Sequence, residues 1–257
     1  LGTITVEAAP VGNTALVLTG VFDGPLTGGT PKGVELYVTE DISDLSVYGL
    51  GSANNGQGTD GQEFTFPAEA ATAGSHIWVT VNPDEFLAFF GVSATYVDGD
   101  QATNINGDDA VELFFNGEVV DIYGDINVDG SGTTWDHLDG WAYRVSGTQA
   151  DGTTFNEANW TYSGINMFDG TTENQQASDP FPIGTYTPDG TIAVSANDDV
   201  VMTSVNTAVA FDASANDNGP AGTESFSVIS GPSNGSVTND GNGTFTYTPA
   251  QDFCGDD

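Results

Sequence analysis

Apolar and polar residues alternate in short runs along much of this chain, the period of half-buried β-strands. Thr14-Ala-Leu-Val-Leu-Thr19 reads as a first strand. After a Gly/Pro-rich turn, Gly33-Val-Glu-Leu-Tyr-Val38 alternates as a second, and Asp44 to Leu50 makes a third. The stretch from Gly51 to Gly61 is a polar loop; Phe64-Thr-Phe66 and His76-Ile-Trp-Val-Thr-Val81 are further strands. Asp109 to Phe115 and Glu118 to Tyr123 flank Asn116-Gly117, the strongest short-range hairpin signal. Gly140 to Val145 and Trp160-Thr-Tyr162 complete the set. Residues 1–10 read as an extended tail, and the polar segment from Thr171 to Pro182 reads as a loop that swings away.

One short helix interrupts the strands, near 83–90. Asn82 is a good N-cap, Pro83 suits the first helical position, and Glu85 sits where a capping box needs it. Phe86, Phe89 and Phe90 then fall on one helical face, and Gly91 ends the helix. Near residue 190 the texture changes. Thr187-Pro-Asp-Gly190 reads as a linker; beyond it Trp vanishes and Thr/Ser/Val alternation dominates. The pattern predicts an all-β chain of two sandwich domains, 1–188 and 193–257.

Charge narrows this picture. Among 257 residues, 37 are Asp or Glu and only two are Lys or Arg, for a net charge of −35. Lys32 and Arg144 are the two bases, so ion pairs cannot be a general stabilising device. The remaining carboxylates must stay hydrated, accept hydrogen bonds or bind cations. Contact with nucleic-acid phosphates is excluded as a main activity, because it relies on Lys and Arg. Disorder is excluded by the aromatics, which recur inside the alternating runs. Scarce Lys and Arg with abundant Asp suit a secreted protein of a saline habitat, where about 1 M salt shortens the screening length to ~3 Å. No stretch approaches the roughly 20 apolar residues of a membrane helix.

The second segment resembles the cadherin-like, bacterial Ig-like repeats of large surface proteins. The resemblance rests on Ala196-Asn-Asp-Asp199, Ala215-Asn-Asp-Asn218, Gly231-Pro-Ser-Asn-Gly-Ser-Val237, Gly241-Asn-Gly-Thr-Phe-Thr-Tyr-Thr-Pro249 and Asp252-Phe-Cys-Gly-Asp-Asp257. Within it, Asn234-Gly235 reads as a hairpin turn, and Phe245 and Tyr247 share a face of a strand that Pro249 closes at an edge. The resemblance implies one more strand after the final Asp, so the second domain is expected to be incomplete and Cys254 to pair beyond the chain.

The first segment resembles the bacterial lamin-tail domain, an Ig-like sandwich. That resemblance rests on Lys32-Gly-Val-Glu-Leu-Tyr37, Leu45-Ser-Val-Tyr48, Asp108-Asp-Ala-Val-Glu-Leu-Phe114, Asn116-Gly117, Val120-Asp121 and the run from Trp135 to Arg144. It implies a non-catalytic module of the kind that accompanies secreted nucleases, other hydrolases or surface repeats.

The sharpest chemical motif is Asp125-Ile-Asn-Val-Asp-Gly-Ser-Gly-Thr-Thr-Trp-Asp136. It has the ligand order of a calcium loop: Asp125, Asn127, Asp129 and Asp136 as side-chain donors, the Ser131 carbonyl, and Gly130 at the sharp turn. The plainer reading is an inter-strand turn. A second acidic cluster, Asp98-Gly-Asp100 with Asp108-Asp109, reads as a solvated loop. Asp198-Asp199 and Asn216-Asp217-Asn218 read as turn residues, although they resemble inter-repeat calcium motifs. His137, between Asp136 and Asp139, lacks a nucleophile or a second metal ligand, and His76 reads as structural. No nucleophile elbow, P-loop or zinc spacing is present. Trp135, Trp141, Trp160 and Tyr143 read as sandwich core, with a sugar-stacking platform as the alternative. Arg144 in a strand calls for an ion pair with Asp121 or Glu112.

These readings converge on a non-catalytic extracellular binding or spacer region of a larger secreted or surface-anchored bacterial protein, stabilised by Ca2+. Its partner would be an unknown surface ligand, protein or glycan. The alternative is an accessory region of a secreted hydrolase, such as a nuclease; a carbohydrate-binding module is a weaker one.

Overall fold

A computed structural model of the chain describes residues 14–190, 200–213, 227–241 and 243–256. The chain divides into two compact units, residues 1–190 and 191–257. The expected tail 1–10 and the motifs Ala196–Asp199 and Ala215–Asn218 lie outside the described residues.

In the first unit the strands are β1 (Leu16–Leu26), β2 (Thr30–Val38), β3 (Tyr48–Ala53), β4 (Phe64–Thr65), β5 (His76–Thr80), β6 (Tyr96–Val97), β7 (Ala110–Phe115), β8 (Glu118–Tyr123), β9 (Trp141–Arg144) and β10 (Trp160–Tyr162). They form a six-stranded sheet in the order β10-β9-β1-β2-β5-β6 and a four-stranded sheet in the order β4-β3-β7-β8. Every pairing is antiparallel except β5 with β6. The alternation explains how they stack. Leu16, Leu18, Val34, Leu36, Ile77 and Val79 from the large sheet meet Tyr48, Leu50, Val111, Leu113 and Tyr123 from the small one in a single buried core.

The large sheet is covered on its other face too. The helix α1 (Pro83–Phe90) and the segment around 168–186 pack Phe86, Phe89, Phe168, Phe181 and Tyr186 against Phe22, Trp141 and Tyr143. Phe22, Phe86, Phe90 and Phe181 meet at ring-centroid distances of 4.9–5.6 Å, in tilted and edge-on geometry. The polar segment 171–182 therefore does not swing away. Asn174 is buried, with its side-chain amide donating to the Phe181 carbonyl and its oxygen accepting from the Phe181 amide. That clamp seats Phe181 on the sheet, where Gly20 makes room: a Cβ there would lie 2.6 Å from the Phe181 ring.

Two local expectations change. Asn82 precedes the helix without capping it; its oxygen accepts from the Lys32 amide and ties the helix start to β2. The strand expected to end at Thr19 runs on to Leu26, through Gly24-Pro25. The Asn116-Gly117 hairpin forms as expected, with both residues at positive φ (51° and 82°), as its tight turn requires.

In the second unit β11 (Val209–Asp212), β12 (Gly235–Gly241) and β13 (Thr244–Pro249) make a three-stranded antiparallel sheet in the order β11-β13-β12. Phe211 and Phe245 stack at 6.0 Å across β11 and β13. Asn234-Gly235 is not the hairpin turn: Gly235 pairs with Pro249 at the open end, and the chain reverses between Gly241 and Thr244. Pro249 closes β13 as expected, but β13 is the central strand rather than an edge. Cys254 is an exposed free thiol. Among the described residues, no helix is long and apolar enough to cross a membrane.

Candidate functional site

The loop 125–136 leaves the end of β8 and returns to β9. Gly124, at φ 80°, turns the chain out of the strand. Each acidic ligand position has a backbone partner. Asp125 Oδ1 accepts from the Asn127 amide at 2.9 Å, and Asp129 Oδ1 from the Ser131 amide at 3.0 Å. Asp136 bridges the Gly132 and Leu138 amides, at 2.7 and 3.2 Å. These are side-chain-closed turns, the work Asp does in loops generally. Hydrogen bonding from Ser131, its backbone amide first, holds the Asp129 carboxyl below its usual pKa. The Ser131 Oγ also donates to Asp108 Oδ2 at 2.6 Å, which pins the loop to the strand entry at 108–109. Gly130 is required for packing: a Cβ there would sit 2.4 Å from the Trp135 ring. Among the described residues, no three His, Cys, Asp or Glu side chains gather to hold a metal.

Beside the loop lies a cleft of 380 Å³, which pattern reading had no means to reveal. Ile122, Ile126, Val128, Trp135 and Phe155 form its apolar lining; Asp125, Asn127, Glu157 and three threonines, Thr133, Thr153 and Thr154, supply polar groups. Trp135 itself is core, edge-on to Tyr123 at 6.0 Å and to Phe155 at 6.2 Å. Trp141, Trp160 and Tyr143 are buried as well, so the four residues of the supposed sugar platform offer no exposed aromatic face.

Several other charged groups are engaged inside the fold. Asp23 and Lys32 face each other in the β1–β2 register, and Lys32 Nζ donates to Asp23 Oδ1 at 2.7 Å and to the Ile105 carbonyl at 2.6 Å. Burial lifts Asp23 to about 6 against the pull of Lys32. Of the two partners proposed for Arg144, Asp121 is the one found, with Arg144 Nη2 at 2.8 and 2.9 Å from its two oxygens. The other, Glu112, lies buried in β7, and burial raises its pKa. Asp98 is no solvated loop residue either: it is buried and accepts from the amides of Asp100, Gln101 and Thr103. Asp109 is likewise buried, bridging the Asn55 and Asn106 amides.

The largest polar hub was missed altogether. Glu35, fully buried, accepts from Thr19 Oγ1, Tyr143 OH and Trp78 Nε1 and from the Gly184 amide, and lies 3.0 Å from His76 Nδ1. The His76 ring stacks with Trp78 at 6.4 Å.

His137 is buried too. Its Nδ1 lies 3.1 Å from Tyr123 OH and 3.2 Å from the Trp135 carbonyl. Tyr123 donates its proton to that carbonyl at 2.6 Å, so Nδ1 carries hydrogen and Nε2 is left as a buried, unpartnered acceptor. Burial pushes the pKa down to about 4. The unfolded imidazole, at about 6.5, binds a proton more readily. His137 therefore contributes stability that is complete above pH 6.5 and lost as pH falls towards 4, on the order of 3 kcal/mol. Asp23 works in the opposite sense, since its raised pKa favours the fold below about 4 and loses that benefit through pH 6. The His137→Asn variant isolates the first effect. In urea melts at a series of pH values, the gap in stability between wild type and variant should narrow from pH 7 to 4.5; a constant gap would refute the assignment.

Comparison with known proteins adds one match. Neither a curated protein nor a solved structure matches the chain. Residues 188–257 match the family model of the bacterial Ig domain, so the second unit carries a bacterial Ig-like domain.

Proposed function

We propose that this chain is a non-catalytic extracellular spacer and binding region of a secreted or surface-exposed bacterial protein. The carrying observation is the bacterial Ig domain at 188–257. Its neighbour supports the reading: a sandwich whose one His of catalytic interest is buried and neutral and whose two bases are both locked in ion pairs. The lamin-tail resemblance of the first unit and the cadherin-like character of the second belong to the same proposal. So does secretion into a saline setting, where the −35 net charge is screened. With Lys32 and Arg144 buried, nothing basic is left to meet nucleic-acid phosphates. An accessory role beside a secreted hydrolase is compatible with the same features. The test is a panel of phosphodiester, glycoside and ester substrates given to the purified chain. No turnover is expected; turnover that tracks the chain and disappears in a carboxylate variant would overturn the reading.

Calcium is a narrower proposal. It is favoured by the ligand order at Asp125, Asn127, Asp129, Ser131 and Asp136 and by Asp108, which the Ser131 hydroxyl brings to the loop. The affinity expected is the weak one of extracellular modules, about 10⁻⁴–10⁻³ M. Millimolar calcium is then expected to raise the melting temperature above that in EDTA for the wild type, and not for Asp125→Ala. Equal melting of the wild type in both buffers would dismiss it.

A further inference from the structure

We propose that the cleft at the end of β8 binds an organic cation, a primary ammonium or a guanidinium carried on an apolar stem. Its volume, 380 Å³, lies within the range of small-ligand sites, roughly 300–1,000 Å³. Its walls divide by chemistry. Ile126, Val128 and Phe155 offer an apolar surface over the buried Ile122 and Trp135, while Asp125 and Glu157 bring two carboxylates to the same space.

Both carboxylates are held in place and both keep an oxygen for a ligand. Asp125 uses Oδ1 on the Asn127 amide, and Glu157 uses Oε2 on Thr134 Oγ1 at 2.6 Å. Asp125 Oδ2 and Glu157 Oε1 have no hydrogen-bond partner among the described residues. Groups fixed before binding lose little freedom when the ligand arrives. Neither Lys nor Arg can neutralise them, because Lys32 is bonded to Asp23 and Arg144 to Asp121. The field of the surrounding acidic surface steers positive ligands inward. A bare metal ion is a poor match for this space: calcium wants six to eight oxygens at about 2.3–2.6 Å, whereas half of this lining is hydrocarbon. A cation with an apolar stem uses both halves, and the half-buried Phe155 ring adds its attraction for positive charge.

This deepens the binding half of the function proposed above and is independent of its non-catalytic half. Turnover would sink the latter and leave the cleft untouched; silence in the titration below would leave the spacer reading standing. The experiment is calorimetric titration of the full chain, at moderate salt and without calcium, with Nα-acetyl-lysine amide, agmatine, Nα-acetyl-norleucine amide and calcium chloride. Saturable binding of at least one of the two cations is expected, with none of the neutral norleucine probe. Glu157→Gln or Asp125→Asn should weaken it by about tenfold, the loss of one charge-assisted contact. Both positions are exposed, and unchanged melting will show that the variants fold. Binding of the lysine amide alone points to a side chain presented by a partner protein, binding of agmatine alone to a free amine; either supports the site. Absence of binding, equal binding of norleucine, binding of calcium without either amine, or cation binding indifferent to both substitutions would each overturn it, the last by showing attraction to the acidic surface at large.

Discussion

Arg144→Met is expected to destabilise the first unit by about 3–5 kcal/mol, the cost of leaving a buried charge without its partner. Arg144 is fully buried and each of its guanidinium nitrogens is engaged. Nη2 holds both oxygens of Asp121, Nε donates to the Leu18 carbonyl at 2.5 Å, and Nη1 donates to the Gln149 carbonyl at 2.7 Å. The guanidinium lies 4.6 Å from the centre of the Trp160 ring. Asp121 in turn accepts from the amides of Leu18, Ile122 and Asp151, so one pair fastens β1, β8, β9 and the loop after β9. Methionine fills the space and removes all the charge. Asp121, already lifted by burial to about 6 against the pull of Arg144, then takes up a proton more readily still. The variant should consequently recover part of its loss as pH is lowered from 7 to 5, because the folded state gains the proton. Adding Asp121→Asn should cost less than the sum of the two single changes, since the stranded charge is gone. All four Trp residues lie in the first unit, so tryptophan fluorescence in urea reads this unit alone. A loss below about 1 kcal/mol would mean that the pair is solvated like a surface ion pair.

The strands were legible because a sandwich with one polar face writes a period of two into the chain. Gly33–Val38 and His76–Val81 show it, and the structure pairs them as β2 and β5 in the register Leu36–Ile77 and Val34–Val79. The helix was legible from its three Phe and its Gly terminator. What alternation cannot tell is whether the polar side of a sheet is also covered. Glu35 sits between Val34 and Leu36, the place of a solvent-facing residue, yet the large sheet is buried on that side by α1 and by the segment leading to Tyr186. The covering segment disguised itself for a related reason. Its polar residues serve as clamps, Asn174 above all, and only Phe168, Phe181 and Tyr186 carry apolar weight over a long irregular stretch.

The site followed the same logic. The spacing of Asp125, Asn127, Asp129 and Asp136 is common to calcium loops and to tandem Asx turns, and local spacing does not separate them. The cleft next to them depends on Phe155 and Glu157, which reach the loop from the approach to β10, across a distance in sequence that no local motif spans. The Arg144–Asp121 pair was within reach because scarcity made it so: with two bases in the chain, a base inside a strand demands a carboxylate.

Glu35→Ala is expected to cost on the order of 4 kcal/mol. The substitution strands several donors at once, and each fully buried orphan costs about 1–3 kcal/mol. Thr19 Oγ1 and Tyr143 OH are beyond the reach of water; Trp78 Nε1, His76 and the Gly184 amide are part-buried and recover solvent contacts at less cost. The effect does not stop at the hub. Tyr143 OH, oriented by its 2.6 Å bond to Glu35 Oε1, accepts from the amides of Thr185 and Tyr186. Glu35 thus fixes the segment 184–186 twice, directly at Gly184 and through Tyr143. Amide exchange in the variant should therefore accelerate at 184–186 ahead of β2 and β5, whose ladder bonds do not involve the side chain. Glu35→Gln separates charge from shape. With its carbonyl at the Oε1 position it keeps Thr19 and Tyr143 satisfied, but its NH2 then faces Trp78 Nε1 and the Gly184 amide, donor against donor. That variant should lose about 2 kcal/mol and show fast exchange at Gly184 while Thr185 and Tyr186 remain protected. Uniform acceleration across the whole unit in both variants would mean that Glu35 stabilises the fold globally without positioning this segment.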